Sequence, residues 1–327
     1  MTDVSIIIVN WNTREILCNC LKSIYEQTRG IQFEVILVDN ASTDGSQEMV
    51  RSQFPQVTVI ANDGNRGFAC ANNQGIAIAE GRYLLLLNSD TIVLDNGIGK
   101  TIAFADLHPD AAVVGCKVLN ADMTLQHTCF MFHSTVNMLL AATYLYKLFP
   151  RSKFFGRHNM TWWNGADVRE VDSVNGCFML VRRKAIEDVG TMDERFFMYG
   201  EETDWCYRFK QAGWKIMFAP EGEIIHLGGQ STAQRAGEMV IQLRLSILQF
   251  IGKYYSRLTF YMACLLTLIF LVVRLPVWCF IGLANPGKRK RSFTQCRAYW
   301  HGIREVLFNG RRLRRPCRRN NPRKSII

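Results

Sequence analysis

The chain has 327 residues, 48% of them hydrophobic and 20% charged, enough apolar material for a large core, which excludes a disordered chain or a disulfide-stapled miniprotein. The net charge of +11 is unevenly spread: residues 285–327 hold 14 Lys/Arg against one acid, Glu305, while residues 1–284 hold 25 bases and 27 acids. The basicity belongs to a tail, which points to a polyanionic surface, a membrane or a nucleic acid, and says little about the chemistry of a near-neutral body.

Short β-branched or leucine-rich runs alternate with helical stretches over the first 120 residues, the pattern of a parallel sheet with crossover helices. Strands are expected at Val4 to Asn10, Phe33 to Asp39, Val57 to Asn62, Tyr83 to Asn88 and Val113 to Leu119. Between the first two, Ile16, Leu17, Cys20, Leu21 and Ile24 recur at helical spacing behind Thr13, an N-cap residue; Thr43 or Asp44 caps a second helix running to about Gln53. Right-handed βαβ connections then line up the C-terminal strand ends along one edge. Residues 122 to 172 show weak periodicity and no clear elements. A strand is expected at Val174 to Val181, helices at Arg183 to Val189 and Glu202 to Ala212, the latter closed by Gly213, and a strand at Trp214 to Phe218 leading past Pro220 to Ile224, Ile225 and His226.

From Leu258 to Val273 every residue is apolar except Thr259 and Thr267, and a second apolar run follows Arg274 and Pro276 to Ala284. Each run is short of the roughly 20 residues needed to span a bilayer. With the basic flanks Lys288 to Arg291 and Arg311 to Arg319, a re-entrant or interfacial segment broken near Pro276 is expected, a buried helical hairpin being the alternative. Eleven cysteines without a C-x-x-C pair, and no basic segment ahead of the first strand, fit free thiols in a reducing cytoplasm.

Polar residues gather where the strands end: Asn10 and Asn12, Asp39 and Asn40, Asp63 to Arg66, then Asn88, Ser89 and Asp90. In open α/β sheets the ligand crevice lies outside those ends. Asp90, behind four leucines, is costly there unless it meets a cation, a donor or a metal; each aspartate could instead cap the next helix. Further on, Glu201 and Glu202 open a helix whose dipole favours acids, with Asp204 behind them and the aromatic FFMY ahead. His226 is followed by Gly228, Gly229 and Ser231, a flexible polar loop; the alternative is a core histidine. Trp162 and Trp163 match no motif and read as packing residues. No G-x-G-x-x-G follows the first strand, which argues against a dinucleotide-binding dehydrogenase.

The blocks SIIIVNWNT, VDNASTDGS, NRGFACANNQGI, LLLNSDT, VNGCFMLVRRKAIEDVGTMDERFFMYGEETDWCYR and IIHLGGQST, in this order over about residues 3 to 235, resemble bacterial family-2 glycosyltransferases, especially the rhamnosyltransferase-like branch of cell-surface polysaccharide synthesis. The resemblance implies an α/β GT-A fold with a mostly parallel central sheet, a catalytic domain over 1–235 (nucleotide-sugar half to about 120, acceptor half beyond), a membrane-associated helical segment over 236–284 and a basic tail over 285–327. It implies that Asn10 and Asp39 hold the nucleobase and ribose, that Asn65, Arg66, Asn72 and Ser89 line the nucleotide pocket, and that Asp90 ends a D-x-D-type metal motif. Asn88 stands where many relatives carry the first Asp, so His226 is expected as second ligand of Mg²⁺ or Mn²⁺. Glu202 occupies the usual base position, the choice between it and Glu201 staying open, and Asp204 supports the loop or touches the acceptor. The implied reaction is inverting transfer of a sugar, rhamnose from dTDP-rhamnose or a UDP-linked hexose, to a lipid-linked oligosaccharide at the cytoplasmic face of the inner membrane, with no nucleic acid as partner. The non-enzyme alternative is a membrane or nucleic-acid adaptor acting through its tail, with salt-sensitive affinity.

Overall fold

The computed structural model describes residues 2–143, 145–229 and 236–314. The chain forms two compact units, one of residues 1–132 and 145–234, the other of 133–144 and 235–327. In the first, elements run β1 (Val4–Asn10), α1 (Arg14–Gln27), β2 (Phe33–Asp39), α2 (Ser46–Gln53), β3 (Thr58–Ala61), α3 (Phe68–Ile78), β4 (Tyr83–Asn88), β5 (Thr91–Leu94), α4 (Gly97–Leu107), β6 (Ala111–Leu119) and β7 (Cys129–Phe130). The second unit contributes α5 (Thr135–Thr143), after which the first resumes with α6 (Leu145–Leu148), β8 (Arg169–Glu170), β9 (Ser173–Val174), β10 (Phe178–Arg182), α7 (Arg183–Val189), α8 (Glu201–Gln211) and β11 (Lys215–His226).

Among the described residues these strands build a nine-stranded sheet in the order β3-β2-β1-β4-β10-β6-β11-β5, with β8 on β11; a second small sheet pairs β7 with β9. β3, β2, β1 and β4 are parallel, β10 runs against β4 and β6, and β5 runs against β11. Successive side chains of a strand face opposite ways, and both faces here are apolar. Ile6, Ile8, Leu85 and Leu87 join one core layer with α1, α2 and α4; Ile7, Leu84 and Leu86 join the other with α3, α7 and α8. Burying each such side chain contributes roughly 1.5–3 kcal/mol. With apolar residues on both faces, alternation alone leaves the register weakly specified; the polar exits Asn10, Asp39 and Asn88 mark where each strand must end. Gly75 lets α3 approach β1, since a Cβ there would meet Ile7 Cγ2 at 2.6 Å.

Several expectations change. The strand Thr91–Leu94 has no counterpart in the reading above, and the expected strand 174–181 divides into β9 and β10 at a turn where Asn175 Oδ1 accepts from Cys177 N (2.9 Å). The stretch around Pro220 stays within one twelve-residue strand, because a register shift against β6 between Ala219 and Glu223 absorbs the proline. The second helix starts at Ser46 behind Gly45 (φ 79), and Asp44 accepts from Arg14 N (2.8 Å) at the head of α1. Thr13 does occupy the N-cap position of α1, but its side chain makes no cap hydrogen bond.

The second unit also holds α9 (Ala236–Tyr254), α10 (Arg257–Ala284) and α11 (Arg289–Leu313). The expected break near Pro276 does not occur: α10 continues through the proline for 28 residues. Proline removes one backbone hydrogen bond, and packing on both sides of it holds the helix, Phe270 and Leu271 before it being buried against Ile241, Ala298 and Tyr299 and Trp278 after it packing on the same cluster. α10 is long and apolar enough to cross a membrane. Ser231 and Arg315 to Arg319 lie outside the described residues.

Candidate active site

The edge formed by the ends of β1, β2 and β4 carries a closed polar network. Asn10 and Asp39 are opposite one another in the β1–β2 register and both fully buried. Asp39 Oδ1 accepts from Asn10 Nδ2 (2.9 Å) and Ser42 Oγ (2.6 Å), and its Oδ2 accepts from Ser42 N (2.9 Å) and Gln47 Nε2 (2.8 Å). An ionised carboxylate offers about four lone-pair positions, so Asp39 is saturated. Thr13 Oγ1 donates to Asn10 Oδ1 (2.6 Å) and lies 3.1 Å from Ser89 Oγ, which explains its absence from the α1 cap and ties the first strand exit to the fourth. Asn12 (φ 54) and Ala41 (φ 62) hold left-handed backbone where these two loops interlock, Asn12 Oδ1 accepting from Thr43 N (2.7 Å).

The next pair meets through the strand that sequence reading missed. β5 pairs antiparallel with β11, setting His226 opposite Thr91, and Leu227 N donates to the Asp90 carbonyl (2.9 Å). His226 Nε2 then lies 3.2 Å from Asp90 Oδ1 and 3.2 Å from Asn88 Nδ2. Its other nitrogen, Nδ1, is 2.6 Å from Gln126 Oε1, while Gln126 Nε2 donates to Asn120 Oδ1 (2.8 Å) and to the His226 carbonyl (3.2 Å). An amide oxygen only accepts, so Nδ1 donates its hydrogen to Gln126 and Nε2 is directed at Asn88 and Asp90. An imidazole nitrogen and a carboxylate oxygen at this distance suit a cation between them, a proton or a metal ion. Ligands at right angles, each about 2.1 Å from a metal, sit about 3 Å apart, which the Asp90–His226 spacing fits. Among the described residues no group of three or more His, Cys, Asp or Glu could hold a metal, so Asp90 and His226 would need substrate oxygens or water to complete the shell, as is usual for Mg²⁺.

The third group heads α8. Tyr199 (φ 66) and Gly200 (φ 86) turn the chain so that Glu201 and Glu202 begin the helix. Glu201 is 3% exposed, and Glu201 Oε2 and Glu202 Oε2 are buried without a hydrogen-bond partner. Burial pushes both carboxyls above their ordinary range, Glu201 well above it with the neighbouring Glu202 charge adding to the effect. Asp204 has another job: fully buried, it pairs with Arg208 (3.0 Å), whose guanidinium donates to the carbonyls of Val189 and Thr191. That clamp, with Trp205 Nε1 donating to Gly190 O (2.9 Å), fixes the turn leading into the catalytic-side loop. The same loop is held to α3 by Asn73, which exchanges hydrogen bonds with the backbone of Met192, and by Phe68 N donating to Phe197 O (2.8 Å). Gly67 (φ 81) makes that approach possible, since a Cβ would fall 2.3 Å from Phe197 O.

A cavity of about 120 Å³ opens at this edge: Val9, Trp11, Asn40, Asn65, Ser89 and Asp90 line it together with Met198 and Gly229, whereas Glu201, Glu202 and His226 do not. A ligand of nucleotide size would extend beyond it into open cleft, since drug-sized pockets enclose roughly 300–1,000 Å³. Of the residues named from the sequence, Asn65, Ser89 and Asp90 face the cavity and His226 touches Asp90; Glu201 and Glu202 follow Met198 by three and four residues. Asn10, Asp39, Arg66 and Asn72 do not line it. Asn72 is buried and donates to the Phe68 carbonyl (2.9 Å), Arg66 is exposed, and a nucleotide would reach Asp39 only by displacing Ser42 or Gln47. Sequence reasoning missed Ser42, Gln47 and Gln126; the first two lie three and eight residues after Asp39 in VDNASTDGSQ, but nothing in the run ADMTLQH distinguishes Gln126. Trp162 packs between Lys153 and Arg169, with the Lys153 ammonium 5.1 Å and the Arg169 guanidinium 5.0 Å from its ring.

Comparison with known proteins agrees with this geometry. The chain is 27% identical over 211 residues to the N-acetylglucosaminyl-diphospho-decaprenol L-rhamnosyltransferase of Mycobacterium tuberculosis, covering 61% of this chain and 68% of that one. It is 28% identical over 235 residues to the O-antigen biosynthesis protein RfbC of Myxococcus xanthus, covering 71% of this chain and 18% of that protein. The mannosyltransferase PcManGT from Pyrobaculum calidifontis, solved in complex with GDP-Man and Mn²⁺, superposes with a TM-score of 0.56 over 94% of this chain and 87% of its own at 15% identity, which establishes the shared GT-A fold. A sequence model for "Glycosyl transferase family 2" matches residues 5–190, more than half of the chain, and the chain therefore belongs to that family and is a glycosyltransferase.

Proposed function

We propose that the protein is an inverting glycosyltransferase of surface polysaccharide synthesis, moving one sugar from a nucleoside diphosphate to a hydroxyl of a lipid-linked oligosaccharide at the cytoplasmic face of the plasma membrane. Rhamnose from dTDP-rhamnose is the donor to test first, on the strength of the rhamnosyltransferase relative. The observation that carries the reading is the Asp90–His226 pair, 3.2 Å apart at the cavity that Asn65, Ser89 and Met198 also line. Asp90 and His226 would hold Mg²⁺ or Mn²⁺, which neutralises charge on a departing diphosphate; the Mn²⁺ complex of the structural neighbour supports this.

The protein's own groups do the rest. Asn65 and Ser89 orient the nucleotide, and the Asn10–Asp39 network holds the first two strand exits in place for the nucleobase and ribose, with Arg66 and Asn72 flanking. Glu202 takes the proton of the acceptor hydroxyl while that hydroxyl's oxygen bonds the anomeric carbon from the face opposite the diphosphate; the old C–O electron pair leaves with the diphosphate, and the anomeric centre inverts. A carboxyl raised by burial holds that proton better than an exposed one, and such a base contributes roughly 10²–10⁴-fold. Glu201 sits next to it and keeps like charge close. The apolar α10 and the basic residues beyond it keep the enzyme near a lipid-borne acceptor.

The test is a panel of dTDP-, UDP- and GDP-linked sugars offered to purified full-length protein, reading release of the nucleoside diphosphate with and without Mg²⁺ or Mn²⁺. One donor turned over only with metal, and lost in Asp90→Ala, is expected. Metal-independent turnover, or full activity in both Asp90→Ala and Glu202→Gln, would overturn the assignment.

A further inference from the structure

α10 and α11 are antiparallel neighbours along nearly their whole length. A Cβ on Gly282 would touch Ser292 Cβ at 2.9 Å, Cys279 and Cys296 Sγ lie 3.5 Å apart, and a Cβ on Gly302 would fall 3.2 Å from Leu271. At the far end, Gly252 of α9 approaches both Phe260 and Leu313. At 1.5 Å per residue the two helices are about 42 and 37 Å long, both longer than the roughly 30 Å hydrocarbon core of a bilayer.

Their outward faces differ. α10 exposes large apolar side chains from end to end, Leu258, Leu265, Val272, Phe280 and Leu283 among them, with Leu283 81% exposed. Contiguous exposed apolar surface of this kind marks an interaction site, a membrane among them. The exposed face of α11 interleaves Phe293, Trp300, Leu307 and Phe308 with Arg297 and Arg304 at helical spacing, and Lys288, Arg289, Lys290 and Arg291 precede them. Aromatic and aliphatic groups alternating with cations on one face suit the boundary between acyl chains and anionic headgroups. The register between the helices decides how the pair meets lipid. Trp300 lies beside the middle of α10, with Arg297 and Arg304 on either side. If α10 crossed the membrane, α11 would carry both guanidiniums to mid-depth, where each disfavours insertion by roughly a hundredfold.

We propose that the α10–α11 pair lies in the plane of an anionic phospholipid leaflet, α10 immersed among the acyl chains and α11 at headgroup level, and that α10 does not cross the bilayer. This rests on the membrane association proposed above and specifies its geometry.

The experiment uses the full-length chain and vesicles of phosphatidylcholine alone or with phosphatidylglycerol, read by flotation and by tryptophan quenching with lipids brominated near the headgroup or near the bilayer centre. The contribution of Trp300 is taken as the difference from Trp300→Phe. In-plane binding predicts association that requires phosphatidylglycerol, stronger quenching of Trp300 by the shallow bromines, and roughly 30-fold weaker binding for Arg297→Gln combined with Arg304→Gln. Stronger quenching by the deep bromines would overturn the in-plane geometry while leaving membrane association standing. Equal binding to neutral vesicles, or an unaffected double variant, would overturn the role of the α11 cations, and no binding to either vesicle would remove the membrane association itself.

Discussion

The first unit holds two buried carboxyl systems, and they are treated in opposite ways. Asp39, at the end of β2, has every acceptor position filled by Asn10, Ser42 and Gln47. Glu201 and Glu202, at the head of α8, keep buried oxygens with no partner and are pushed toward the protonated form. A satisfied buried charge is structural, because breaking any of its bonds leaves a donor stranded; an unsatisfied one is kept at a cost to stability, and such groups collect where protons move. Under the proposed function, the contrast separates the part that would hold the nucleotide end in shape from the part that would wait for an acceptor.

The largest effect that can break this comparison is on turnover. Glu202→Gln should lower kcat/KM for sugar transfer by roughly 10²–10⁴-fold while leaving donor affinity near wild type, measured by initial rates and by equilibrium binding of the nucleoside diphosphate. If Glu201→Gln shows the larger loss, the base is Glu201, and the pair exchanges roles. Asp39→Ala should do the reverse: it strands donors from Asn10, Ser42 and Gln47 and should cost about 3 kcal/mol of stability, read by chemical denaturation. A silent Asp39→Ala would show that the network is not structural.

A smaller effect is expected from Gln126. It is placed to fix the tautomer of His226 from behind, and loss of such a partner typically weakens metal affinity by about 10–100-fold. Gln126→Leu should therefore weaken Mn²⁺ binding in titrations without donor, and nitrogen NMR of His226 should show the Nδ1 hydrogen no longer held in a hydrogen bond. Unchanged tautomer and affinity would reduce Gln126 to packing.

What was legible in the sequence follows the same division. Strong two-sided apolar runs such as IIIV, VILV and LLLL announced β1, β2 and β4 within a residue, because burial on both faces leaves little else such runs can be. The polar residues closing them announced the edge. The meeting of Asp90 with His226 depends on Thr91–Leu94 pairing with β11 across more than 130 residues, and a four-residue strand has too short a pattern to be told from a turn. Gln126 was illegible for a related reason: its place is fixed by the turn at Asn120 to Thr124 and by β11, neither of which marks it locally. Pro276 misled because a proline reads as a stop in isolation, whereas packing against α11 continues on both sides of it.

The smallest effect sought is a slope with pH, and it sharpens the comparison because it needs no substrate. The two glutamates have folded-state values above the ordinary 4.5, with burial the main cause in each. The folded protein therefore favours their neutral form more than the unfolded chain does. The stability this contributes is fully present below about pH 4.5 and is lost as pH rises through the folded-state values of the pair. Replacing both by glutamine removes the ionisation and leaves groups of nearly the same shape, so Glu201→Gln with Glu202→Gln should be more stable than wild type near neutral pH, and the difference should shrink toward pH 4.5. Melting temperatures of the two proteins across that range measure it. Parallel curves would mean that the α8 carboxyls are as well satisfied as Asp39, and the distinction between a structural and a poised acid would fail for this molecule.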